Sequence, residues 1–358
     1  MSEAEVASKA PACPQCGTQI AAGLLCCPGC GGLVHADELK RLAKSARLAG
    51  DAQRPREALT LWREALEFLP PGSRQHAQIG ERIAELSDRV DQQPASATDT
   101  NAPAASASSA PRFGWKKGLA GAGALGLLFW KFKFVLTFLL TKGKLLILGL
   151  TKGSTFFSMI LSLGVYWTAF GWKFALGLVI SIYIHEMGHV AALRRFGIKA
   201  TAPMFIPGLG AIVRLKQYPA TPREDARVGL AGPIWGLAAA VGAYLVALAT
   251  GWPSWAAIAR VGAWINLFNL LPFWQLDGGR GFRALARKQR WAAAGVIAIA
   301  FILTSEGLLI LLLIAALAKA LSKSAPADSD RTAFWQYVLL VIALSFLSLI
   351  DVPGLAEA

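Results

Sequence analysis

Apolar residues in the second half of this chain run in long blocks, with polar residues gathered between the blocks. The clearest blocks cover 154–170, 172–193, 228–250 and 254–271. Two weaker ones lie between Trp291 and Leu321, split by Thr304-Ser305-Glu306-Gly307, and a last one covers 334–350. Blocks of this kind predict membrane-crossing helices, because a bilayer core needs about twenty apolar residues. Upstream, apolar runs between Lys116 and Lys152 are cut by Lys131, Lys133, Lys142 and Lys144, too often for an ordinary span. The expectation there is a lysine-flanked pair of segments lying on the membrane surface, with a tight hairpin of two crossings as the other reading. Between the second and third blocks, Ala211-Ile212-Val213-Arg214-Leu215-Lys216 has β-character between proline and glycine breaks and predicts an edge strand.

The front of the chain follows a different pattern. Residues 36–90 read as three amphipathic helices, with breaks at Gly50-Asp51 and Pro70-Pro71-Gly72. Leu42, Ala46, Ala49, Ala58, Trp62, Ala65 and Pro70 fall at the spacings of a tetratricopeptide repeat, which this stretch resembles. One repeat and a third helix are too few for a superhelix, so a small packing unit or a docking surface for a protein partner is expected. Residues 92–112 are rich in Ala, Ser, Thr, Pro and Asn, with little to bury; they predict a flexible linker that leaves the front module's placement free.

Composition agrees with the blocks. Of 358 residues, 54% are hydrophobic and 16% charged, and the mean hydropathy is +0.46. The net charge of +14 is unevenly spread: residues 1–111 carry 11 Lys+Arg against 13 Asp+Glu, and the rest carry 25 against 9. The positive excess therefore belongs to the apolar half, where basic loops orient spans, and nucleic acid is not expected as a partner. Arg194, Arg195 and Lys199 follow the second block, and Arg280, Arg283, Arg287, Lys288 and Arg290 follow the fourth, so both ends are expected to face the cytoplasm. The first fifteen residues contain no apolar run of signal-peptide type, so the front module is expected to stay on the cytoplasmic side too. Arg260, inside the fourth block, is expected to face the bundle interior and pair with a carbonyl or carboxylate.

All five cysteines lie in Cys13-Pro14-Gln15-Cys16-Gly17 and Cys26-Cys27-Pro28-Gly29-Cys30-Gly31. Two such knuckles resemble a zinc ribbon, with Cys13, Cys16, Cys27 and Cys30 as ligands of a structural zinc and Cys26 left over, although Cys26 could stand in for Cys27. A disulfide pairing is disfavoured by a cytoplasmic setting.

The second block contains His185-Glu186-Met187-Gly188-His189. Ionisable groups at membrane depth are costly and mark function. Positions i and i+4 share a helix face, so both imidazoles can bind one zinc with Glu186 beside it as general base. Catalytic zinc needs a third protein ligand and one open position. The other two histidines, His35 and His76, lie in the front, so a carboxylate is required. Asp277 ends on the same predicted side as His189, whereas Glu306 falls in a turn near the opposite face.

His185-Glu186-x-x-His189, Gly232-Pro233 and Asn269…Asp277-Gly278 together resemble the site-2 protease family of intramembrane zinc metalloproteases, over roughly 156–290. The resemblance implies His185, His189 and Asp277 as zinc ligands, Glu186 as general base and Asn269 near the scissile carbonyl. It also implies transmembrane segments of membrane-anchored proteins as substrates. Trp235-Gly236 departs from the small or polar residues common after Gly-Pro-x-x, and no role is carried to them. The expected architecture is an all-α polytopic membrane protein: a ribbon (1–34), a helical module (36–91), a linker (92–112) and a membrane zinc protease domain (113–351). The last has about six transmembrane helices and a short β-hairpin or edge element near the site, in a bacterial cytoplasmic membrane. The other class of function open to this chain is a non-proteolytic scaffold or metal transporter. Glu186 separates the two, because a transporter needs ligands but no base.

Overall fold

A computed structural model describes residues 12–93 and 155–352, apart from positions 22, 202, 208, 209, 214, 216 and 323. The segment 116–152, including its lysine-cut runs, and most of the linker lie outside the described residues. Three helices form the front module: α1 (Ala36–Asp51), α2 (Pro55–Leu66) and α3 (Arg74–Gln92). The first break comes slightly later than expected, since Gly50 stays in α1 and Gln53 makes the reversal at φ +56°. Ser73 caps α3 by accepting from the His76 N–H.

Each apolar block is a helix. They are α4 (Thr155–Phe170), α5 (Trp172–Arg195), α6 (Pro222–Thr250), α7 (Pro253–Asn269), α9 (Arg287–Thr304), α10 (Leu308–Leu321) and α11 (Arg331–Leu347). The short α8 (Asp277–Arg283) follows α7. Antiparallel strands β1 (Met204–Ile206) and β2 (Gly210–Ile212) pair Phe205 with Ala211, and Ala200 bridges Leu215 below them. By length and composition, α5 and α6 are the two described helices fit to cross a membrane, and α4, α10 and α11 are shorter apolar helices. At a rise of 1.5 Å per residue, 14–17 residues reach only about 21–26 Å, short of a ~30 Å hydrocarbon core.

Start signals at α6 are strong. Thr221 accepts from the Glu224 N–H, Pro222 occupies the first turn, and Glu224 and Asp225 complement the helix dipole. Residues of α6 to α11 share the main core, in which Leu230, Leu267, Phe282, Leu312 and Tyr337 are fully buried. The Tyr337 hydroxyl donates to the Leu270 carbonyl at 2.8 Å, and its ring meets Phe282 edge-on at 4.9 Å. Helix α11 thereby holds both the turn after α7 and α8, the segment that delivers Asp277.

The front module is not loosely tethered. Leu42, Leu59, Trp62 and Ile83 share one core with Leu193, Phe196, Ile198 and Val228 from the ends of α5 and α6. Linker composition leaves placement open, but complementary apolar and charged surfaces decide it. Arg260 differs from expectation in its facing: it is exposed on α7, although it does meet a carbonyl, that of Ile350, at a long 3.5 Å. Glu306 is engaged in its own turn, accepting from the Ser348 hydroxyl and the Leu308 N–H, away from the histidines.

Candidate metal centre and active site

Helix α5 carries His185, Glu186 and His189, all buried. The two Nε2 atoms are 3.2 Å apart. Asp277, the first residue of α8, places Oδ2 3.1 Å from His185 Nε2 and Oδ1 3.2 Å from His189 Nε2. These three edges match the ~3.3 Å spacing of neighbouring ligand atoms in a tetrahedron with zinc–ligand bonds of about 2.0–2.1 Å.

The other ring nitrogens make the Nε2 atoms available. His185 Nδ1 donates to Asn266 Oδ1 at 2.8 Å, and Asn266 Nδ2 donates to the Gly262 carbonyl at 2.7 Å, which orients the amide oxygen toward the imidazole. His189 Nδ1 donates to the Val228 carbonyl at 2.8 Å. With both Nδ1 positions protonated, each Nε2 lone pair points inward, as metal-bound histidines require. The donor set therefore fits Zn²⁺.

Two close approaches shape the centre. A side chain on Gly232 would place its Cβ 2.2 Å from His189 Nε2 and 2.7 Å from His185 Nε2. A Cβ on Gly278 would lie 1.8 Å from the Leu270 carbonyl oxygen, so the first turn of α8 can fold against the end of α7 only with glycine after Asp277. Among the described residues, no hydrogen bond engages the Glu186 carboxylate, so its oxygens can take a proton. Asn269 sits half-buried at the end of α7, one turn beyond Asn266, and is not in the hydrogen-bonded cluster. Asn266 escaped sequence reasoning. The hint was a row of small residues on α6: Gly232 faces the imidazoles, and a Cβ on Gly236 would meet Asn266 Oδ1 at 2.0 Å. The hairpin lies close by, as Tyr183, two residues before His185, stacks on Phe205, whose N–H donates to Ser158.

A second donor cluster occupies the front. Cys13 and Cys30 Sγ are 3.7 Å apart and Cys16 and Cys27 Sγ 3.5 Å, close to the ~3.75 Å edge of a four-thiolate zinc site. The two knuckles repeat one geometry: Gly17 N donates to the Cys13 carbonyl and Gly31 N to the Cys27 carbonyl, both at 2.9 Å, with both glycines at positive φ. Cys26 is not a member of the cluster; it bridges Leu33. Hydrogen bonds from the Thr18 side chain and backbone bring the Cys16 thiol down to about 6, whereas the Cys16 sulfur beside it helps push Cys30 up to about 12.

Residues 173–252, from α5 to the start of α7, match the family described as Peptidase family M50. A stretch of 119 residues is 26% identical to zinc metalloprotease MJ0392 of Methanocaldococcus jannaschii, covering 31% of this chain and 34% of that protein. Another of 129 residues is 35% identical to the protein titled "Putative zinc metalloprotease Rip3" in two strains of Mycobacterium tuberculosis, covering 34% of this chain and 32% of the relative. The chain thus spans about a third of the length of these curated relatives. No solved structure matches it significantly. The chain carries a Peptidase family M50, or site-2 protease, domain and has zinc metalloproteases as homologues.

Proposed function

We propose that this chain is an intramembrane zinc metalloendopeptidase that hydrolyses peptide bonds within or near transmembrane segments of membrane-anchored substrates. The observation that carries the reading is a three-donor centre beside a buried Glu186 whose carboxylate makes no hydrogen bond among the described residues, on a helix apolar enough to cross a bilayer. His185, His189 and Asp277 would hold the zinc, and the ion would supply a Lewis acid that polarises the scissile carbonyl and acidifies water. Glu186 takes the proton of the attacking water and returns it to the leaving amine. Asn266 and the Val228 carbonyl keep both imidazoles in the ligating tautomer. Asn269 donates a hydrogen bond to the oxygen that gains charge, an effect worth a few kcal/mol in sites of this type. The four cysteines would hold a second, structural zinc, which leaves no open position for chemistry. The front module would face the cytoplasm.

A helical substrate has its peptide groups internally bonded and must unwind before it is cut. The β1–β2 hairpin can hold the unwound stretch by strand addition. Proline at Ile212, the last residue of β2, removes a backbone N–H from that element, and the expected result is a loss of cleavage with zinc content unchanged. Equal loss of both, by cleavage assay and metal analysis, would count against the strand-addition role.

The reading as a whole is tested by reconstituting the purified full chain in liposomes with a single-span model substrate. Zinc-dependent cleavage at one or a few bonds within or bordering the span is expected, stopped by a chelator and restored by zinc. Protein that holds zinc yet cuts no helix offered would overturn the protease reading and leave a scaffold or transporter.

A further inference from the structure

The front module meets the membrane part through a set of buried charges centred on the first two turns of α6. Glu224 is 1% exposed and Arg63 of α2 is 4% exposed, and the two form an ion pair. Glu224 also accepts from the Ser87 hydroxyl of α3 at 3.0 Å and from the Ala220 N–H at 2.6 Å, while Arg63 Nε donates to the Phe196 carbonyl at 2.9 Å. Arg227 lies between Asp91 of α3, at 2.9 Å, and Asp330, at 3.0 Å. Arg195, the last residue of α5, donates to the carbonyls of Val90, Asp91 and Gln93 at the end of α3. A buried charge is tolerated only when paired. Arg63 finds its partners across the interface, so the docked arrangement is the one in which its burial is stable.

Glu224, Val228, Gly232 and Gly236 stand four residues apart on α6 and so form one ridge. Each member touches something different: Glu224 touches the module, the Val228 carbonyl takes the His189 Nδ1 proton, Gly232 faces both Nε2 atoms, and Gly236 packs on Asn266. Asp225, beside Glu224, holds Arg280 of the Asp277 helix at 2.8 Å. The same short stretch of α6 therefore contacts the module, one imidazole and the carboxylate-bearing helix.

We propose that Glu224 is a positioning residue for the metal centre, and that the helical module is a built-in part of that centre: docking holds α6 in register, and release of the module switches the site off. The inference rests on the reading of His185, His189 and Asp277 as zinc ligands. Glu224→Gln keeps the size of the side chain but removes the charge facing Arg63, and in one orientation turns an amide N–H toward the Ala220 N–H. In the full-length protein three quantities decide the matter: hydrogen exchange along α2 and α3, the rate of zinc release to a chromogenic chelator, and kcat with KM on a model substrate. Asp277→Asn identifies which release phase belongs to this centre and which to the cysteine cluster. The expected result is faster exchange on the docking face, zinc release from the His/Asp centre at least tenfold faster, and a fall in kcat larger than the change in KM, with Arg63→Lys milder than Glu224→Gln. If Glu224→Gln does not yield folded protein, Asp91→Asn is read in the same way. Loss of docking with zinc release and kcat unchanged would overturn the proposal, as would unchanged exchange in both variants. Should wild type cut nothing, the protease reading fails alone, because exchange and metal release still report on the coupling.

Discussion

Glu186→Gln is expected to lower cleavage by about 10²- to 10⁴-fold, or roughly 2.7–5.4 kcal/mol of transition-state stabilisation, while leaving the zinc content unchanged. Glutamine has nearly the volume of glutamate, and the position is buried at 7% exposure, so packing along α5 is preserved. The side chain belongs to neither the three-donor cluster nor its supporting hydrogen bonds, which run from His185 to Asn266 and from His189 to Val228. What the substitution removes is a base able to accept a proton from water and pass it to the amine. An amide also costs less to bury than a charge, so thermal stability should hold or rise. Cleavage of a single-span substrate, measured beside metal stoichiometry, separates the outcomes. Retained cleavage would assign the base to another group, and lost zinc would make Glu186 a ligand.

How much of this site could be read from the chain depends on whether each feature has a local signature. His185, Glu186 and His189 were legible because i, i+4 spacing in an apolar helix places two imidazoles on one face without tertiary information. Asp277 was reached by elimination, since no further histidine lies in the apolar half and the charge map puts residue 277 on the side of His189. The positions of the helices followed from block hydropathy. Of the hairpin, β-character marked 211–216, which overlaps β2 only at Ala211 and Ile212, and β1 carried no such mark. Asn266 was not legible: an asparagine one turn before Asn269 has no local mark that ties it to an imidazole 81 positions earlier. Arg63 is illegible for a related reason. On an amphipathic helix it resembles an ordinary solvated cation, and only the fold brings Glu224 to it. Arg260 shows the opposite failure. Sequence says that a cation inside an apolar block needs a partner, but not which side of α7 faces the bundle. The number of crossings is underdetermined for a geometric reason, because α10 has 14 residues and α11 has 17, lengths that block hydropathy alone does not separate from a span.

Gly232→Ala should remove zinc from the His/Asp centre, with at least about a hundredfold loss of affinity, or about 2.8 kcal/mol. The added Cβ would lie 2.2 Å from His189 Nε2, 2.5 Å from its Cε1 and 2.7 Å from His185 Nε2, all below the contact distance of any carbon. Neither ring can step aside cheaply. His189 is tied to the Val228 carbonyl on the same helix as the new methyl, and His185 is tied to Asn266, whose amide is held by Gly262. Disturbing a supporting bond of this sort typically costs 10- to 100-fold in metal affinity, and a direct collision with the donor atoms should exceed that. The helix itself gains, because alanine is favoured over glycine in a helix interior by up to about 1 kcal/mol. Overpacking against rings held in place costs about 1–3 kcal/mol and outweighs that gain. The fold is therefore expected to weaken modestly while zinc is lost almost completely, a disproportion that general misfolding does not produce. Gly242→Ala is the matched control on the same helix, where an added Cβ meets nothing within 4 Å. That variant should bind zinc and cleave like wild type. Zinc content, thermal denaturation and cleavage measured on both variants decide the point: zinc retained by Gly232→Ala would mean that the imidazoles have more room than this packing allows.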